Sequence, residues 1–193
     1  AQSGETHSNR MFFVVRSSHP GRDSKILLQL AANTYNAYNG WGGFSLYTYW
    51  GPAHWDKVHE PGDELGRRVS FQRPFTGIDR NWELPFIQWA ERNGYRLDYA
   101  INSDLEFHPE ILEQYKLVLS VGHDEYWSAP MRDHLEAYIA SGGNVAFFSG
   151  NTCCWQVRSE DDGNDLVCWK EAYKQDPLCK PEGHPLLSTL WSH

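Results

Sequence analysis

Residues 117–121 (LVLSV) run directly into residues 122–127 (GHDEYW), and this segment gives the strongest indication of the fold. A continuous apolar run of this length is typical of a strand buried on both faces of a parallel sheet. The same pattern recurs at residues 26–30 (ILLQL) and 145–148 (VAFF), and both runs also lead into polar or aromatic segments. The chain is therefore predicted to contain several buried strands, each followed at its carboxyl end by polar or aromatic side chains.

Amphipathic stretches separate these runs. Residues 82–93 place apolar side chains at helical spacing, and Gly94 occupies the position after a helix end that glycine favours. Residues 129–140 predict a second helix, with Ser128 as its cap and Pro130 in its first turn. The other predicted elements are strands at residues 11–15, 69–73 and 97–101 and a short helix at residues 109–115.

Strand, helix, strand, helix and strand follow one another from residue 82 to residue 148. This alternation predicts a doubly wound α/β fold with a mostly parallel sheet. A length of 193 residues suits one domain. Residues 176–193 show no strong period, so we expect residues 1–193 to form a single α/β domain that is incomplete at its C-terminal end.

Composition excludes several classes of protein. With 17 Lys and Arg against 25 Asp and Glu, the net charge is −8, which leaves no basic surface for nucleic acid. No run approaches the roughly 18 apolar residues of a membrane-spanning helix. Aromatic residues make up 15% of the chain, too many for an intrinsically disordered protein. Residues 1–10 are polar and lack the apolar core of a secretory signal, which favours a cytoplasmic location.

Many of the aromatic side chains fall in residues 35–61, which show neither a helical nor a strand period. A long non-periodic stretch inside a compact domain is usually a functional loop. Most tyrosines in such a loop simply pack. A deprotonated tyrosine is nevertheless a hard oxygen donor, suited to a strongly Lewis-acidic ion such as Fe³⁺.

Three polar segments follow predicted strands, at residues 33–35, 123–125 and 149–155. Carboxyl ends of parallel strands meet at one edge of a sheet, so these segments are expected to form one site. His123, Asp124 and Glu125 are either metal ligands and acid–base groups or a solvated turn before the next helix. Asn151 either stabilises a developing oxyanion or simply shapes a turn. Cys153 is either a nucleophile or, more in keeping with its neighbours, a buried structural thiol.

Several longer motifs occur together and in a fixed order. This combination resembles the large (beta) subunit family of N,N-dimethylformamidase, and the resemblance covers roughly residues 10 to 193. The motifs are residues 26–30 (ILLQL), 33–39 (NTYNAYN), 41–47 (WGGFSLY), 68–71 (RVSF), 73–74 (RP), 117–127 (LVLSVGHDEYW) and 146–152 (AFFSGNT).

The resemblance implies a class I glutamine-amidotransferase-like fold, which is a flavodoxin-like three-layer sandwich. It also implies a mononuclear iron, as Fe³⁺, held by two tyrosines and one glutamate. The glutamate of the G-H-x-E-Y motif falls on Glu125. The two tyrosines fall on Tyr38 and Tyr47, with Tyr35 and Tyr49 as competing choices.

His123 and Asn151 then become groups that orient the ligands or the substrate, with His123 passing a proton to the leaving amine. The implied reaction is hydrolysis of a small amide. The implied partners are the amide substrate, a small subunit and further copies of the chain, without nucleic acid or membrane. Further acidic site groups of the family would lie beyond His193. Two alternatives remain: a non-catalytic ligand- or carbohydrate-binding module, and a hydrolase that uses Cys153.

Overall fold

A computed structural model describes residues 12–47, 66–74 and 77–192 of the protein. This part of the chain contains eight strands and four α-helices, with short 3-10 helices between some of them. In chain order these are β1 (Ile26–Leu30), α1 (Ala32–Ala37), β2 (Arg68–Ser70), α2 (Glu83–Arg92), β3 (Asp98–Ile101), α3 (Asn102–Phe107), β4 (Leu117–His123), β5 (Tyr126–Ser128), α4 (Ala129–Ala140), β6 (Asn144–Gly150), β7 (Trp155–Glu160) and β8 (Asp165–Val167).

Four strands form a parallel sheet in the order β3-β1-β4-β6. The two inner strands, β1 and β4, are the most continuous apolar runs of the sequence, and both are largely buried. Parallel strands covered on both faces require such runs. The predicted α/β fold with a parallel sheet is therefore confirmed.

Helices cover both faces of this sheet. On one face, Leu28 and Leu119 pack with Phe86 and Ile87 of α2. On the other, Leu27, Val118 and Ala100 pack with α3 and α4 through Leu105, Met131 and Leu135. Each fully buried leucine or methionine contributes about 1.5–3 kcal/mol of transfer free energy. The result is the flavodoxin-like three-layer arrangement that the resemblance implied.

A second, mixed sheet has the order β2-β8-β7-β5. The antiparallel pair of β7 and β8 is joined by a turn in which Asp161, Asp162 and Gly163 all have positive φ. Of the strand predicted at residues 69–73, only residues 69 and 70 lie in β2, which belongs to this sheet, and residues 71–73 form no strand. Because β5 begins directly after residue 125, the second sheet is joined to the carboxyl end of β4.

The helix boundaries follow the signals in the sequence. Ser128 accepts a hydrogen bond from the backbone N–H of Met131 at 3.3 Å, as a cap of α4 should. Gly94 has a φ of +79° just past α2. The short helix predicted at residues 109–115 is a 3-10 helix over Pro109–Gln114. No helix in the described ranges is long and apolar enough to cross a bilayer.

The strand predicted at residues 11–15 is wrong where the structure describes it. Residues 12–15 form no regular element, and Phe13 and Val15 are 75% and 72% exposed. Phe12 and Val14 pack against the parallel sheet layer instead. An apolar run indicates that side chains are buried on one side, but it does not supply a neighbouring strand.

The aromatic segment is also more regular than expected. Tyr35 lies in helix α1, and Trp41–Gly43 forms a 3-10 helix. A helix of six residues is too short to show a period in the sequence. Residues 48–65 lie outside the described part of the chain.

The C-terminal segment is attached to the second sheet through Asp176. This buried carboxylate accepts hydrogen bonds from Arg158 at 3.1 and 3.3 Å and from the Ser188 hydroxyl at 3.0 Å. Burial is the largest single influence and opposes ionisation of Asp176. The hydrogen bonds from Arg158, Ser188 and the N–H of Leu178, together with the charge of Arg158, outweigh it and hold the pKa of the carboxyl below its usual range.

We expect Asp176→Asn to lower the free energy of unfolding by roughly 1–3 kcal/mol at pH 7, the usual range for a charge-assisted hydrogen bond. A lowered folded-state pKa stabilises the protein above the unfolded pKa, near 3.9, and this stabilisation disappears as the pH falls below it. Urea unfolding from pH 7 to pH 3 should therefore show the two proteins converging in acid. A difference that is independent of pH would contradict the ion pair.

Candidate functional site

Glu125 lies between β4 and β5, and its backbone is fixed on both sides. Its N–H donates to the Thr34 hydroxyl at 2.9 Å. Its carbonyl accepts hydrogen bonds from the N–H groups of Cys154 and Trp155, each at 3.0 Å. The side chain is buried, so the position of its carboxylate is determined by β4, α1 and β7 together.

Two tyrosines donate to the two oxygens of this one carboxylate. The Tyr47 hydroxyl is 2.8 Å from Oε1, and the Tyr38 hydroxyl is 2.9 Å from Oε2. The Trp155 indole N–H also donates to Oε1, at 3.0 Å. The tyrosine rings are stacked, with centroids 4.2 Å apart. Three oxygen-bearing side chains therefore meet at one point.

The chain between the two tyrosines forms a compact loop. Tyr38 ends α1, and Leu46, which is buried, donates its N–H to the carbonyl of Ala37 at 2.9 Å. Gly42 and Gly43 supply the positive φ angles of the turn between them. This pairing places Tyr47 beside Tyr38.

Arg73 ties this loop to its surroundings. Its guanidinium donates to the carbonyls of Trp41, Phe44 and Ser70 at 3.0, 2.8 and 3.0 Å. It also donates to the Asn36 side-chain oxygen at 2.9 Å. The planar fork of an arginine can reach several acceptors at once, so a single residue fixes the loop that carries Tyr47.

His123 and Asn151 lie beside each other next to Glu125. The register of β4 against β6 pairs His123 with Gly150, which places Asn151 next to it. His123 Nε2 is 3.4 Å from Glu125 Oε2 and 3.4 Å from Asn151 Nδ2. When His123 Nε2 carries a proton, it can donate to the Glu125 carboxylate. In the other neutral tautomer, it can accept from the side-chain N–H of Asn151.

Asp124, between these two residues, points into the protein. It is fully buried and accepts hydrogen bonds from Asn102 at 3.1 Å and Ser120 at 2.9 Å. Burial raises the pKa of its carboxyl, and these hydrogen bonds oppose the rise. Asn102 also accepts from the N–H of Asn33 at 2.9 Å, so Asp124 belongs to a network that joins the ends of β1, β3 and β4.

A cavity of about 520 Å³ opens beside Tyr38 and His123. Its wall also includes Tyr35, Trp82 and Glu83. The Tyr35 hydroxyl donates to Glu83, whose carboxylate also accepts from the N–H of Asp79. Of the competing choices, Tyr38 therefore reaches Glu125 while Tyr35 is engaged elsewhere, and Tyr49 lies outside the described residues.

Comparison with known proteins places the chain in a family. A model of the family described as N,N-dimethylformamidase beta subunit-like, C-terminal, matches residues 2–193. This chain belongs to that family. It is 36% identical to the N,N-dimethylformamidase beta subunit of an Alcaligenes species over 86 residues, which are 42% of this chain and 11% of that protein.

The chain is also similar to the N,N-dimethylformamidase beta subunit of Paracoccus aminophilus. It is 35% identical over 98 residues, which are 48% of this chain and 12% of that protein. The chain thus spans about a tenth of the length of the curated relatives it matches.

The cluster around Glu125 differs from metal sites that are built from His, Cys, Asp and Glu side chains alone. No group of three or more His, Cys, Asp and Glu side chains is arranged to hold a metal ion within residues 12–47, 66–74 and 77–192. The cluster at Glu125 consists of one carboxylate and two phenols instead. Burial raises the pKa of Tyr38 to about 12 and raises that of Tyr47 further. Without a bound cation, Tyr38 and Tyr47 therefore keep their hydroxyl protons and donate them in hydrogen bonds to Glu125. A bound cation would replace these protons.

Two residues near the tyrosines were not predicted from the sequence as site residues. The Lys170 ammonium lies 3.3 Å from the centroid of the Tyr47 ring and 5.2 Å from that of Trp155. Burial lowers the pKa of Lys170 to about 8. Tyr126 is fully buried and meets Tyr47 edge to face. Tyr126 completes the G-H-x-E-Y motif, which was a usable signal, whereas nothing around Lys170 in the sequence marks it.

Cys153 has the properties of a structural thiol. Burial raises its pKa to about 12, which disfavours the thiolate that a nucleophile needs. Its N–H donates to the carbonyl of Asp124, and its side chain packs against the core beneath the parallel sheet. Within the described residues, no hydrogen bond joins its sulfur to a histidine.

Thr34→Val should lower the free energy of unfolding by about 1–3 kcal/mol, because it leaves the buried N–H of Glu125 without an acceptor. Thr34→Ser is the matched control, since it keeps the hydroxyl and removes only a methyl group. Urea unfolding of both variants measures the difference. If Thr34→Val were as stable as Thr34→Ser, the hydrogen bond would not be fixing Glu125.

Proposed function

We propose that this chain carries the metal-binding part of an iron-dependent hydrolase of small amides, of the N,N-dimethylformamidase type. One observation carries the proposal: the two oxygens of the buried Glu125 carboxylate each accept a hydrogen bond from a different tyrosine, Tyr38 and Tyr47. Membership of the N,N-dimethylformamidase beta subunit-like family supports the same reaction class.

The residues present fit a ferric ion. Tyr38, Tyr47 and Glu125 are the residues that would hold it, and all three offer oxygen donors. Hard oxygen donors suit a highly charged, strongly Lewis-acidic ion. With both phenols deprotonated, the set carries three negative charges, equal to the charge of Fe³⁺. When bound, the iron would polarise the amide carbonyl or lower the pKa of a water molecule.

His123 is placed to handle the proton that amide hydrolysis requires. It lines the cavity, and its Nε2 faces both Glu125 and Asn151 at 3.4 Å. A leaving amine must gain a proton when the C–N bond breaks, and a histidine is the side chain best suited to supply it near neutral pH. Asn151 then orients the imidazole and the substrate.

The cavity is suited to a small substrate with alkyl groups. Trp82 and the Tyr38 ring contribute apolar surface to its wall. Glu83 is held by hydrogen bonds from Tyr35 and from the N–H of Asp79. Burial raises the pKa of Glu83 to about 6. The cavity wall therefore offers aromatic surface, and the carboxylate of Glu83 is already hydrogen-bonded within the protein. These properties favour a neutral amide as the substrate.

The names of the relatives bear on the assembly. Both are described as beta subunits, so we propose that the active protein pairs this part with a small subunit and contains more than one copy of it. Of the residues assigned to the site, Tyr38 and His123 line the cavity, and additional acidic groups would come from elsewhere in the assembly.

The iron claim is tested by loading the protein with Fe³⁺ and measuring metal content and visible absorption. Tyrosinate bound to Fe³⁺ should produce a charge-transfer colour at about one iron per chain, and hydrolysis of N,N-dimethylformamide by the assembled enzyme should follow the iron content. Tyr47→Phe and Glu125→Gln should remove most of the bound iron, because each removes one of three ligands.

Tyr35→Phe is the matched control, because Tyr35 lies in the same cavity but donates to Glu83. It should keep both iron and colour. Colourless protein without iron after reconstitution would overturn the proposal, and so would a loss of iron in Tyr35→Phe equal to that in Tyr47→Phe.

A further inference from the structure

The two tyrosines at Glu125 have unequal surroundings. Tyr38 is 48% exposed and lines the cavity with His123. Tyr47 lies on the protein side, where it contacts Tyr126 and Lys170. The proposed function gives the two tyrosines the same task, so this asymmetry needs its own explanation.

Tyr126 carries a buried hydroxyl that faces Tyr47. The residue is 0% exposed, and its hydroxyl has no hydrogen-bond partner of ordinary geometry within the described part of the chain, although it interacts with the Tyr47 hydroxyl. Its ring meets that of Tyr47 edge to face, with centroids 6.2 Å apart. An unsatisfied buried donor is costly and rare in folded proteins. A negatively charged oxygen on Tyr47 would give this hydroxyl an acceptor.

Lys170 is a buried cation placed against the same ring. It is 6% exposed, and its ammonium lies 3.3 Å from the centroid of Tyr47 and 5.3 Å from that of Tyr126. It forms no ion pair within the ranges that the structure describes. Its backbone has a φ of +50°, an unfavourable conformation for a residue with a side chain. An ammonium over a ring face is attracted to a neutral tyrosine, and more strongly to a phenolate.

We propose that Tyr126 and Lys170 are positioning residues that hold Tyr47 in place as a phenolate ligand of the iron. Tyr126 donates a hydrogen bond to the Tyr47 oxygen, and Lys170 places a positive charge against the ring. Tyr38 has neither support and is the ligand on the substrate side. This inference rests on the proposed function, because it requires iron at Tyr38, Tyr47 and Glu125.

The absorption spectrum of the iron-loaded protein tests it. A hydrogen bond and a nearby cation both stabilise a phenolate and raise the energy of its charge transfer to Fe³⁺. Tyr126→Phe and Lys170→Met should therefore move the band to longer wavelength. Competition with a chelator should also show that each variant binds iron about tenfold more weakly than the unchanged protein. This is the size of effect expected for losing a charge-assisted hydrogen bond. Lys170→Arg keeps the charge and should restore the band.

A purely structural role would give a different result. Before iron is added, Tyr126→Phe should melt at the same or a higher temperature than the unchanged protein, because it deletes an unsatisfied hydroxyl. Tyr138→Phe is the matched control, since the Tyr138 hydroxyl donates to the carbonyl of Tyr115 at 3.2 Å, away from the site. It should lower the melting temperature and leave the spectrum unchanged.

The outcomes separate the two proposals. Suppose that the unchanged protein binds iron and shows the charge-transfer band. If Tyr126→Phe and Lys170→Met then have the same band and the same affinity for iron, the positioning role is overturned, but the iron site is not. If the unchanged protein takes up no iron, both proposals are overturned.

Discussion

The candidate site depends on burying the carboxylate of Glu125. A buried carboxylate is costly unless its oxygens are hydrogen-bonded, and here each oxygen accepts from a tyrosine, with Trp155 as a further donor. These donors come from the end of α1, from the loop after it and from β7. The carboxylate thus joins α1 and the loop after it to β7, which is more than 100 residues away in the sequence.

Both sheets are needed to build this arrangement. The parallel sheet delivers His123 and Glu125 at the end of β4, and a polar network around the buried Asp124 fixes that end. The second sheet delivers Trp155 and, just beyond β8, Lys170. Polar side chains lie where the two sheets adjoin, and apolar side chains at these positions would leave the site without hydrogen-bond donors. The chemistry of the site therefore depends on residues from both sheets.

The sequence predicted the parallel sheet well because long apolar runs and helical periods are strong local signals. It also predicted that residues after β1, β4 and β6 would converge, since parallel strands require this. Three strands of the mixed sheet, β5, β7 and β8, were missed because they are only three to six residues long. Lys170 was missed because tertiary packing alone brings it to Tyr47. The engagement of Tyr35 by Glu83 likewise depends on α2 lying beside α1, which no local pattern encodes.

The most direct test of the central claim is anomalous X-ray scattering at the iron edge from crystals of the iron-loaded protein. We expect one anomalous peak per chain, within bonding distance of the Tyr38, Tyr47 and Glu125 oxygens, with Tyr126 and Lys170 on the Tyr47 side. A peak beside Tyr35 and Glu83, or at histidine and cysteine side chains away from Glu125, would contradict it.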